Sequence, residues 1–445
     1  MPACKIIKYF DRFAKKQENY LEIIIFAHAN TKTMFLIHAP TAIKAAINLP
    51  SSKSISNRAL ILNALSKCRK TINNLSDCDD TAVMVNALRE RKTIIDVGAA
   101  GTAMRFLTAY LAGQPGDYLL TGTERMKNRP VKILVDALRA VGAQIEYTEK
   151  EGFPPLQIKG QIMKGGEIEL DGSVSSQYVS ALLMIAPMMT RGLNIQLIGN
   201  VVSTSYIDLT LHLMAQFGVI VNKEGCKLTV LPQQYDMERD YHVESDWSAA
   251  SYWYEMIALS DDKSSSVMLN GLWSDSLQGD AAIKCLFDRL GVKTLFTPLG
   301  ATLTKKDRII DRPLVFDFLS MPDMAQTGVV TCTMLHIPFR FTGLQSLKIK
   351  ETDRLFALKT ELRKLGFLLE IQNDDTLVWN GERCEVDAYP VIATYEDHRM
   401  AMAFTPASLC RKEGIYIANP QVVSKSYPSF WNDLLKANFF ITETE

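Results

Sequence analysis

Residues 175–218 read SSQYVSALLMIAPMMTRGLNIQLIGNVVSTSYIDLTLHLMAQFG, and their pattern decides the fold. The stretch opens with a polar turn at Ser175 and continues as a run that is apolar nearly all round, which predicts a buried helix. A short run at Asn194–Ile198 has the alternation of a strand. From Ser205 an amphipathic pattern extends to Gly218, which is typical of a second helix that ends at a glycine. The stretch therefore predicts a helix, a strand and a second helix.

The same pair of helices recurs six times along the chain. Helices of the first kind are apolar and begin near Lys53, Gly101, Ser175, Asp246, Asp323 and Asp397. Helices of the second kind are amphipathic and begin near Asp80, Arg129, Ser205, Gln278, Lys350 and Tyr427. Within each kind the spacing is about 72–76 residues, after a shorter first step of about 48. This regularity favours a repeated unit over an ordinary α/β protein with accidental internal similarity.

Six units predict an α/β fold with two domains of three units each, in which the helices pack inside the sheets. A change of domain near residues 244–246 would divide the units equally. We therefore expect one domain at residues 53–246 and the other at residues 34–52 together with 247–445. An N-terminal strand would pair with the second half of the chain, so that two crossovers form a hinge.

The beginning of the chain allows two interpretations. A basic segment precedes the apolar run Leu21–Ala27, and small residues follow that run as at the cleavage site of an export signal. Against export, Glu22 interrupts the apolar run and acidic residues lie within the basic segment. In the second interpretation, residues 1–33 are a dispensable N-terminal extension and Met34 is the functional start. No run approaches the roughly 18 apolar residues of a membrane span.

Composition excludes several classes of partner. Lys plus Arg and Asp plus Glu each number 49, so the net charge is zero. This balance argues against nucleic acid or an anionic membrane as the main partner. The eight cysteines form no C-x-x-C pair, and their spacing suits neither a zinc site nor a disulfide framework. Such cysteine usage is typical of a reducing compartment and predicts a cytoplasmic protein.

Cations stand at helix N-termini, where the helix dipole disfavours them. Those that open or precede predicted helices are Lys53, Arg58, Arg105, Arg129, Lys350, Arg354, Arg399 and Lys425. Lys350 and Arg354 are predicted to open one helix together. Because the exceptions recur at equivalent ends of repeated units, they predict a shared site where cations and backbone N–H groups bind phosphate or carboxylate. The alternative is solvated surface charge on unrelated helix ends.

Few side chains qualify as catalytic acids or bases. Asp323, Glu351 and His398 lie at the starts of predicted helices, where an N-cap, a first-turn acid or a hydrogen-bonding imidazole is the structural alternative. Hydroxyl and amide donors lie at other helix starts: Ser175, Ser176, Gln177, Ser203 and Tyr206. No phosphate-binding loop of ATPases and no dinucleotide fingerprint lies between a strand and a helix, so neither ATP nor NAD is implied. No Ser-His-Asp or metal-ligand pattern competes.

Eight segments, in this order, resemble the 5-enolpyruvylshikimate-3-phosphate synthase (EPSP synthase) family. They are LPSSKSISNRAL (49–60), AGTAMR (100–105), LTGTERMKNRP (120–130), DGSVSSQ (171–177), SYIDLTL (205–211), KETDRL (350–355), EDHRMAM (396–402) and KSYP (425–428). The likeness covers nearly the whole chain from about residue 40 onward. It implies two domains, each an inside-out α/β barrel of three βαβαββ units, that close over the substrates. It also implies a monomer with no metal and no organic cofactor.

The family transfers the enolpyruvyl group of phosphoenolpyruvate to the 5-hydroxyl of shikimate 3-phosphate during aromatic amino acid biosynthesis. The resemblance implies that Asp323 accepts the proton of the ring hydroxyl, that Glu351 shuttles the proton at the methylene carbon, and that Lys53 assists. It implies that shikimate 3-phosphate is held by Lys53, Ser54, Arg58, Ser175, Ser176, Gln177, Ser203, Tyr206, Asp323 and Lys350. It implies that phosphoenolpyruvate is held by Lys53, Gly101, Arg129, Gln177, Arg354, Arg399 and Lys425.

The chain departs from the family pattern at four positions that bear on substrate affinity and on the response to inhibitors. Ser51, Ala99, Phe106 and Ser346 stand where Gly, Asn, Pro and Asn, respectively, are usual. Gly101 is retained, and we therefore expect inhibition by glyphosate.

Two alternative functions stay open. One is the related transferase that acts on UDP-N-acetylglucosamine, which usually carries a reactive cysteine in a mobile loop, whereas the corresponding residues 121–130 contain none. The other is a non-catalytic anion-binding protein that keeps the fold. The presence of Asp323, Glu351 and Lys53 together argues against it.

Overall fold

The structure is a computed structural model, and it describes residues 33–90, 92–173, 175–199, 201, 203–237, 239–310 and 313–444. The predicted N-terminal extension lies outside the described residues except for Thr33. None of the helices in these ranges combines the length and the apolar character that a membrane span requires. The seven cysteines in these ranges are free thiols.

All twelve predicted helices are present in the described part of the chain. Those of the first kind are Lys53–Leu65, Gly101–Ala112, Ser176–Ile185, Trp247–Leu259, Ala325–Met334 and His398–Phe404. Those of the second kind are Asp79–Glu90, Lys132–Ala140, Thr204–Gln216, Ile283–Arg289, Arg354–Lys364 and Phe430–Lys436. A further short helix is Glu124–Lys127. The 3-10 helices are Ala186–Met188, Gly279–Ala282, Pro322–Met324, Gln345–Ile349, Thr405–Cys410 and Pro420–Lys425.

Helices of the first kind form the interior of the fold. All ten residues of Ala325–Met334 and all seven of His398–Phe404 are buried. By contrast, Asp79–Glu90 buries only Thr81 and Met84. A helix that is apolar all round has no face suited to water, which places it inside.

Five four-stranded sheets in the described ranges repeat one arrangement, with the first two strands parallel and the other neighbours antiparallel. In spatial order, the strands of the first sheet are Ile94–Asp96, Gly116–Thr121, Leu156–Gly160 and Gln144–Tyr147. The strands of the second sheet are Gly166–Asp171, Leu193–Ile198, Lys227–Val230 and Asn222–Glu224. The strands of the third sheet are Lys44–Asn48, Ser266–Asn270, Gly300–Lys305 and Val292–Thr297. The strands of the fourth sheet are Leu314–Asp317, Phe339–Thr342, Thr376–Trp379 and Glu370–Gln372. The strands of the fifth sheet are Val391–Ile392, Ile415–Ala418, Met34–His38 and Phe440–Thr444. A reduced sixth sheet pairs Ile72–Asn73 with Tyr241–His242 in parallel. The predicted α/β fold of repeated units is therefore confirmed.

Two N-terminal strands complete sheets of the second half of the chain. Met34–His38 lies between Ile415–Ala418 and Phe440–Thr444 and pairs with both in antiparallel register. Lys44–Asn48 pairs in parallel with Ser266–Asn270. From Met34 onward the chain therefore first contributes strands to the second half, leaves it for three units, and returns.

The two crossovers lie side by side. The Ser52 N–H donates to the Glu244 carbonyl at 2.8 Å, and the Asp246 N–H donates to the Pro50 carbonyl at 2.8 Å. Ser51 and Ser245 also pair as an isolated antiparallel bridge. This double connection lies where the sequence places the hinge, which stays a prediction.

Buried apolar side chains fall into two clusters. One is drawn from residues 37–49 and 247–439, and the other from residues 55–243. A domain has its own hydrophobic core. The clusters therefore support the predicted division into residues 53–246 and residues 34–52 with 247–445, which stays a prediction.

Glu255 gives a prediction about stability, because its carboxyl group lies within the core of the second half. Burial raises the pKa of Glu255 well above its usual range, and Thr331 opposes this rise only in part. A raised folded-state pKa contributes stability below the unfolded-state pKa, and this contribution is lost as the pH rises. We expect Glu255→Gln to raise the free energy of unfolding at about pH 8 by about 1–3 kcal/mol and to have little effect near pH 4.

Urea denaturation of both proteins across this pH range measures the effect. The exposed Glu370→Gln serves as the control, because its carboxylate is solvated in both the folded and unfolded states. A pH dependence of stability that is the same for Glu255→Gln and the wild type would contradict the interpretation.

Candidate active site

Helix N-termini from both halves of the chain face one cleft, which encloses about 80 Å³. The residues singled out from the sequence that line it are Lys53, Ser54, Arg58, Gly101, Arg129, Ser175, Ser176, Gln177, Tyr206, Asp323, Lys350, Glu351, Arg354, His398 and Arg399. Cations that lie far apart in sequence are thus gathered around a single small space. Arg105 lines a smaller cavity next to it.

Two other residues from the sequence analysis lie beside this cleft rather than on its wall. Ser203 lines the smaller cavity, and its N–H donates to the Leu319 carbonyl at 3.1 Å. The Lys425 carbonyl accepts a hydrogen bond from Lys53 Nζ at 3.4 Å, and Lys425 Nζ donates to the Glu396 carbonyl at 2.9 Å. Lys425 is therefore linked to the cleft through Lys53.

The helix predicted to begin at Lys350 begins instead at Arg354. Asp353 is its N-cap, and the Asp353 side chain accepts the Phe356 N–H at 3.1 Å. A capping carboxylate fixes the start of a helix, which explains the shift of one turn. Glu351 consequently lies ahead of the helix and is not a first-turn acid, so its carboxylate is available to the cleft.

Asp323 is a carboxylate surrounded by cations. Its Oδ1 lies 2.9 Å from Arg354 Nη1 and 3.3 Å from Lys350 Nζ, and its Oδ2 lies 3.2 Å from Arg399 Nη2. The Tyr206 hydroxyl also donates to Oδ2, at 3.2 Å. Burial raises the pKa of Asp323, but the three cations outweigh burial and hold the pKa well below its usual range. Asp323 is therefore ionised at neutral pH, as a proton acceptor must be.

One buried guanidinium holds three carboxylates together. The Arg354 side chain is 2% exposed, and its Nη2 lies 2.8 Å from Glu351 Oε2 while its Nε lies 2.7 Å from Asp397 Oδ2. Its third partner is Asp323. Glu351 Oε1 also lies 3.9 Å from Arg129 Nη1, on the opposite half of the chain. Burial raises the pKa of Glu351, and Arg354 and Arg129 reverse this effect to hold it well below its usual range.

Lys53 and His398 form another part of the wall. Lys53 Nζ lies 3.4 Å from Asp80 Oδ2. Burial lowers the pKa of Lys53, but Asp80, Cys78 and Glu351 together outweigh burial and the net shift is upward, so the ammonium stays charged. His398 is buried, and neither ring nitrogen has a hydrogen-bond partner in the described part of the chain. Burial, followed by the charges of Lys53 and Arg399, lowers the pKa of His398 well below its usual range, which leaves a neutral imidazole.

Polar side chains of the first half fix two more donors. Arg58 is buried, and it donates from Nε to Thr210 Oγ1 at 2.7 Å and from Nη2 to Ser180 Oγ at 3.1 Å. Burial lowers the pKa of Arg58 to about 10, so the guanidinium remains charged at neutral pH. Gln177 Nε2 donates to Thr102 Oγ1 at 3.2 Å. These bonds orient both side chains before any ligand arrives.

Comparison with known proteins gives the same family assignment over most of the chain. The model of the family EPSP synthase (3-phosphoshikimate 1-carboxyvinyltransferase) matches residues 37–93 and 90–434. The chain belongs to the EPSP synthase family. A similar relative is the 3-phosphoshikimate 1-carboxyvinyltransferase of Bacteroides fragilis strain YCH46, which is 57% identical over 408 residues that cover 92% of this chain and 98% of the relative.

More distant members of the EPSP synthase family also align with most of this chain. The 3-phosphoshikimate 1-carboxyvinyltransferase of Photobacterium profundum is 37% identical over 420 residues, covering 88% of this chain and 96% of the relative. The solved structure of an EPSP synthase from Acinetobacter baumannii aligns with a TM-score of 0.74 at 20% identity, covering 93% of this chain and 100% of that one. At this identity the alignment shows a shared fold.

Sequence reasoning missed three polar residues of this EPSP synthase family site. Asp80 pairs with Lys53, Thr102 accepts from Gln177, and Asp280 accepts a hydrogen bond from the Tyr206 hydroxyl at 3.2 Å. Asp80 lies in the first turn of a helix, where an acid is ordinary, so nothing in the sequence distinguished it. Asp280 follows a glycine at a predicted helix start and carried no signal of its own.

The cleft of this EPSP synthase family member is closed in the structure, because polar groups of the two halves bond directly across it. Arg125, from the short helix Glu124–Lys127, donates twice to the Tyr395 carbonyl at 3.2 Å and pairs with the Glu396 carboxylate. Ser424 donates to Asp79 Oδ2 at 2.6 Å on the same rim. Such contacts exist only while the halves are together.

Proposed function

We propose that this chain transfers the enolpyruvyl group of phosphoenolpyruvate to the 5-hydroxyl of shikimate 3-phosphate and releases phosphate, a step of aromatic amino acid biosynthesis. The observation that carries the proposal is the meeting of Asp323, Glu351 and Lys53 with arginines of both halves in one closed cleft. The family membership and the names of the relatives support it.

Shikimate 3-phosphate fits the donors contributed mainly by the first half. The residues proposed to hold it are Lys53, Ser54, Arg58, Ser175, Ser176, Gln177, Ser203, Tyr206, Asp323 and Lys350. Ser175 caps the helix Ser176–Ile185, and a helix N-terminus with serine hydroxyls binds a phosphate group well. The charged Arg58 suits the ring carboxylate.

Phosphoenolpyruvate, with a phosphate and a carboxylate, fits the arginines that face each other across the cleft. The residues proposed to hold it are Lys53, Gly101, Arg129, Gln177, Arg354, Arg399 and Lys425. A guanidinium binds either anionic group through two parallel hydrogen bonds. A Cβ added at Gly101 would collide with the guanidinium ends of Arg129 and Arg105, so a glycine leaves these arginines room.

The proposed reaction has an addition and an elimination. Asp323 takes the proton of the ring hydroxyl while the ring oxygen bonds the central carbon of phosphoenolpyruvate and the methylene carbon gains a proton. The resulting tetrahedral intermediate then loses phosphate, and the methyl carbon gives up a proton to restore the double bond. Preorganised cations stabilise the negative charge of both steps in a site that excludes water.

Glu351 is suited to move the proton at the methylene carbon because its charge state depends on the ligand. In the free cleft Arg354 and Arg129 hold its pKa low. A bound carboxylate would compete for both guanidinium groups, add negative charge and raise the pKa of Glu351. Glu351 could then carry a proton in the addition and remove one in the elimination, with the Lys53 ammonium assisting.

Phosphate release from phosphoenolpyruvate tests the proposal when the acceptor is varied. We expect release with shikimate 3-phosphate, and none with UDP-N-acetylglucosamine or without an acceptor. Release with UDP-N-acetylglucosamine alone would instead assign the related transferase. Release with neither acceptor would leave an anion-binding protein. A cytoplasmic location and a monomeric state complete the proposal, and gel filtration tests the latter.

Arg125 gives a prediction about closure. Tyr395 and Glu396 have positive φ angles of 53° and 54°, a conformation that costs energy for residues other than glycine. Arg125 bonds to both in the closed cleft, and they lead into the segment that carries Arg399. We expect Arg125→Ala to raise the KM for phosphoenolpyruvate about tenfold, because closure loses charged hydrogen bonds.

Steady-state kinetics of phosphate release measure this effect. The matched control is Lys127→Ala on the same short helix, since Lys127 pairs with Glu124 and Glu149 and makes no ion pair across the cleft in the described ranges. The control should leave KM within about twofold of the wild type. An unchanged KM in Arg125→Ala would contradict a role in closure.

Glyphosate gives a further prediction, because it carries a phosphonate and a carboxylate as phosphoenolpyruvate carries two anionic groups. We expect inhibition that phosphoenolpyruvate relieves competitively, with Gly101 leaving room between the arginines. Inhibition constants from initial rates measure the effect. A Ki far above the KM for phosphoenolpyruvate would contradict it.

A further inference from the structure

Two carboxylates share one hydroxyl group at the wall of the cleft. The Tyr206 hydroxyl lies 3.2 Å from Asp323 Oδ2 and 3.2 Å from Asp280 Oδ1. A phenol has one proton and can donate it to one of these oxygens at a time. The three groups therefore titrate as a coupled set and not independently.

Asp280 is a buried carboxyl group that the proposed chemistry does not use. It lies in the 3-10 helix Gly279–Ala282 and is 6% exposed. Its Oδ2 accepts a hydrogen bond from the Ser248 hydroxyl at 2.5 Å. No Lys or Arg in the described ranges forms a salt bridge with Asp280, whereas Asp323, one hydroxyl away, has three such partners.

The surroundings shift the pKa values of Asp280 and Asp323 in opposite directions. Burial, with the charge of Asp323, raises the pKa of Asp280 to about 6, and Asp246 adds to this rise. Arg399 and the Ser248 hydroxyl oppose it. Near neutral pH Asp323 therefore stays ionised while Asp280 is ready to take up a proton.

The hydroxyl between them keeps its proton. Burial, with the charges of Asp280 and Asp323, raises the pKa of Tyr206 well above its usual range. Tyr206 can therefore pass a proton on only by giving up its own while it receives another. This is the behaviour of a relay group and not of a base.

We propose that Asp280 is a positioning residue that, through the Tyr206 hydroxyl, accepts the proton that Asp323 takes from the substrate. The inference rests on the proposed function, because it extends the role of Asp323 as the base for the ring hydroxyl.

The step moves two protons and leaves the phenol unchanged. The ring O–H bond breaks as the ring oxygen bonds the central carbon of phosphoenolpyruvate, and its proton goes to Asp323 Oδ2. Tyr206 then gives its own proton to Asp280 Oδ1 and takes the proton from Asp323. Asp323 is again a carboxylate, and Asp280 is a neutral carboxyl group that returns the proton to water when the cleft opens.

The pH profile of kcat for Asp280→Asn tests the relay. We expect kcat at about pH 7.5 to fall about 10- to 100-fold, because the amide keeps the shape and a hydrogen-bond acceptor but cannot take up the proton. We also expect loss of the part of the acid limb that reports Asp280, with an apparent pKa of about 6. Substrate phosphates titrate in the same range, so the evidence is the difference from the wild type with the same substrates.

Two further variants make this profile interpretable. Tyr206→Phe removes the relay hydroxyl and should lose the same part of the acid limb, and the double variant should be no slower than the slower single variant. Asp288 lies on the helix that follows Asp280, is exposed and pairs with the partly exposed Lys306, so Asp288→Asn should match the wild type. A profile of Asp280→Asn that runs parallel to that of the wild type overturns the inference.

Infrared difference spectra of the free protein measure the protonation of the Asp280 carboxyl group without turnover. On lowering the pH from about 8 to about 5, the wild type and Asp288→Asn should gain a carboxylic acid band with an apparent pKa of about 6 that Asp280→Asn lacks. An identical band in Asp280→Asn overturns the inference. A wild type that gains this band but releases no phosphate with shikimate 3-phosphate overturns the proposed function instead.

Discussion

Asp323→Asn lowers kcat for phosphate release by about 10²–10⁴-fold, the contribution typical of a general base. The amide keeps the size of the side chain and can still accept from Tyr206, but it cannot accept the proton of the ring hydroxyl. Because the variant also loses one buried negative charge among Lys350, Arg354 and Arg399, the cleft becomes more cationic. Binding of the anionic substrate should therefore be kept or strengthened.

Initial-rate kinetics and calorimetric titration with shikimate 3-phosphate measure the two effects separately. Asp317→Asn is the matched control, since that carboxylate bonds the Leu319 N–H at 3.1 Å and is not part of the cleft wall. The control should keep kcat within about twofold of the wild type. Near-normal turnover in Asp323→Asn would remove this residue from the role of base.

Arg354→Met lowers the free energy of unfolding by about 3–5 kcal/mol, because it leaves buried carboxylates without their shared cation. Asp323 and Glu351 keep other cations nearby, but Asp397 is fully buried and pairs with Arg354 at 2.7 Å. Turnover should be lost as well, since the proposed phosphoenolpyruvate site loses a guanidinium. Arg354→Lys should retain part of the stability and little of the activity, because an ammonium cannot bond three carboxylates in one plane.

The pH dependence of the free energy of unfolding of Arg354→Met gives a second test of this role. Arg354 helps to hold the folded-state pKa values of Asp323 and Glu351 low. A lowered folded-state pKa contributes stability that is present above the unfolded-state pKa and is lost as the pH falls through the folded-state pKa, and the variant lacks the part of it that Arg354 supplies. The deficit against the wild type should therefore be larger at about pH 8 than at about pH 3, where protonation of these carboxylates removes the contribution from the wild type as well. Chemical denaturation at both pH values measures it, with Arg363→Met on the same helix as the control, because Arg363 is half exposed. A deficit below about 1 kcal/mol at pH 8 would contradict a central structural role for Arg354.

The fold could be predicted from the sequence because the apolar and amphipathic helix patterns recur with the period of the repeated units. The helix Ser176–Ile185 is apolar nearly all round after its polar first turn, so its interior position followed from the residues alone. Helix ends were harder to predict. The capping carboxylate of Asp353 moved one start from Lys350 to Arg354, because a short run of polar residues contains more than one possible cap.

The candidate site was predictable where a residue type contradicts its local environment. Lys53 and Arg354 stand at helix N-termini that disfavour cations, and that conflict indicated an anion site. Asp280 and Asp80 have no such conflict, since an acid near a helix start is locally favourable. Their roles depend on which side chains of other units come near them, and that information lies in the packing of the units rather than in any one segment.

Hydrogen bonds across the cleft, such as that of Arg125 with the Tyr395 carbonyl, could not be predicted from the sequence either. Every residue has a backbone carbonyl, so the residue type does not show which carbonyl accepts a hydrogen bond. The family resemblance supplied the motifs around both residues. It did not supply the geometry that joins them.

A crystal structure of the protein with shikimate 3-phosphate and glyphosate tests most directly the claim that both halves assemble one site for two anions. We expect the shikimate phosphate beside Ser175 and Ser176, the ring 5-hydroxyl within hydrogen-bond distance of Asp323, and the glyphosate anionic groups on Arg129 and Arg354. Ligands bound outside the cleft, or a ring hydroxyl remote from Asp323, would contradict the account.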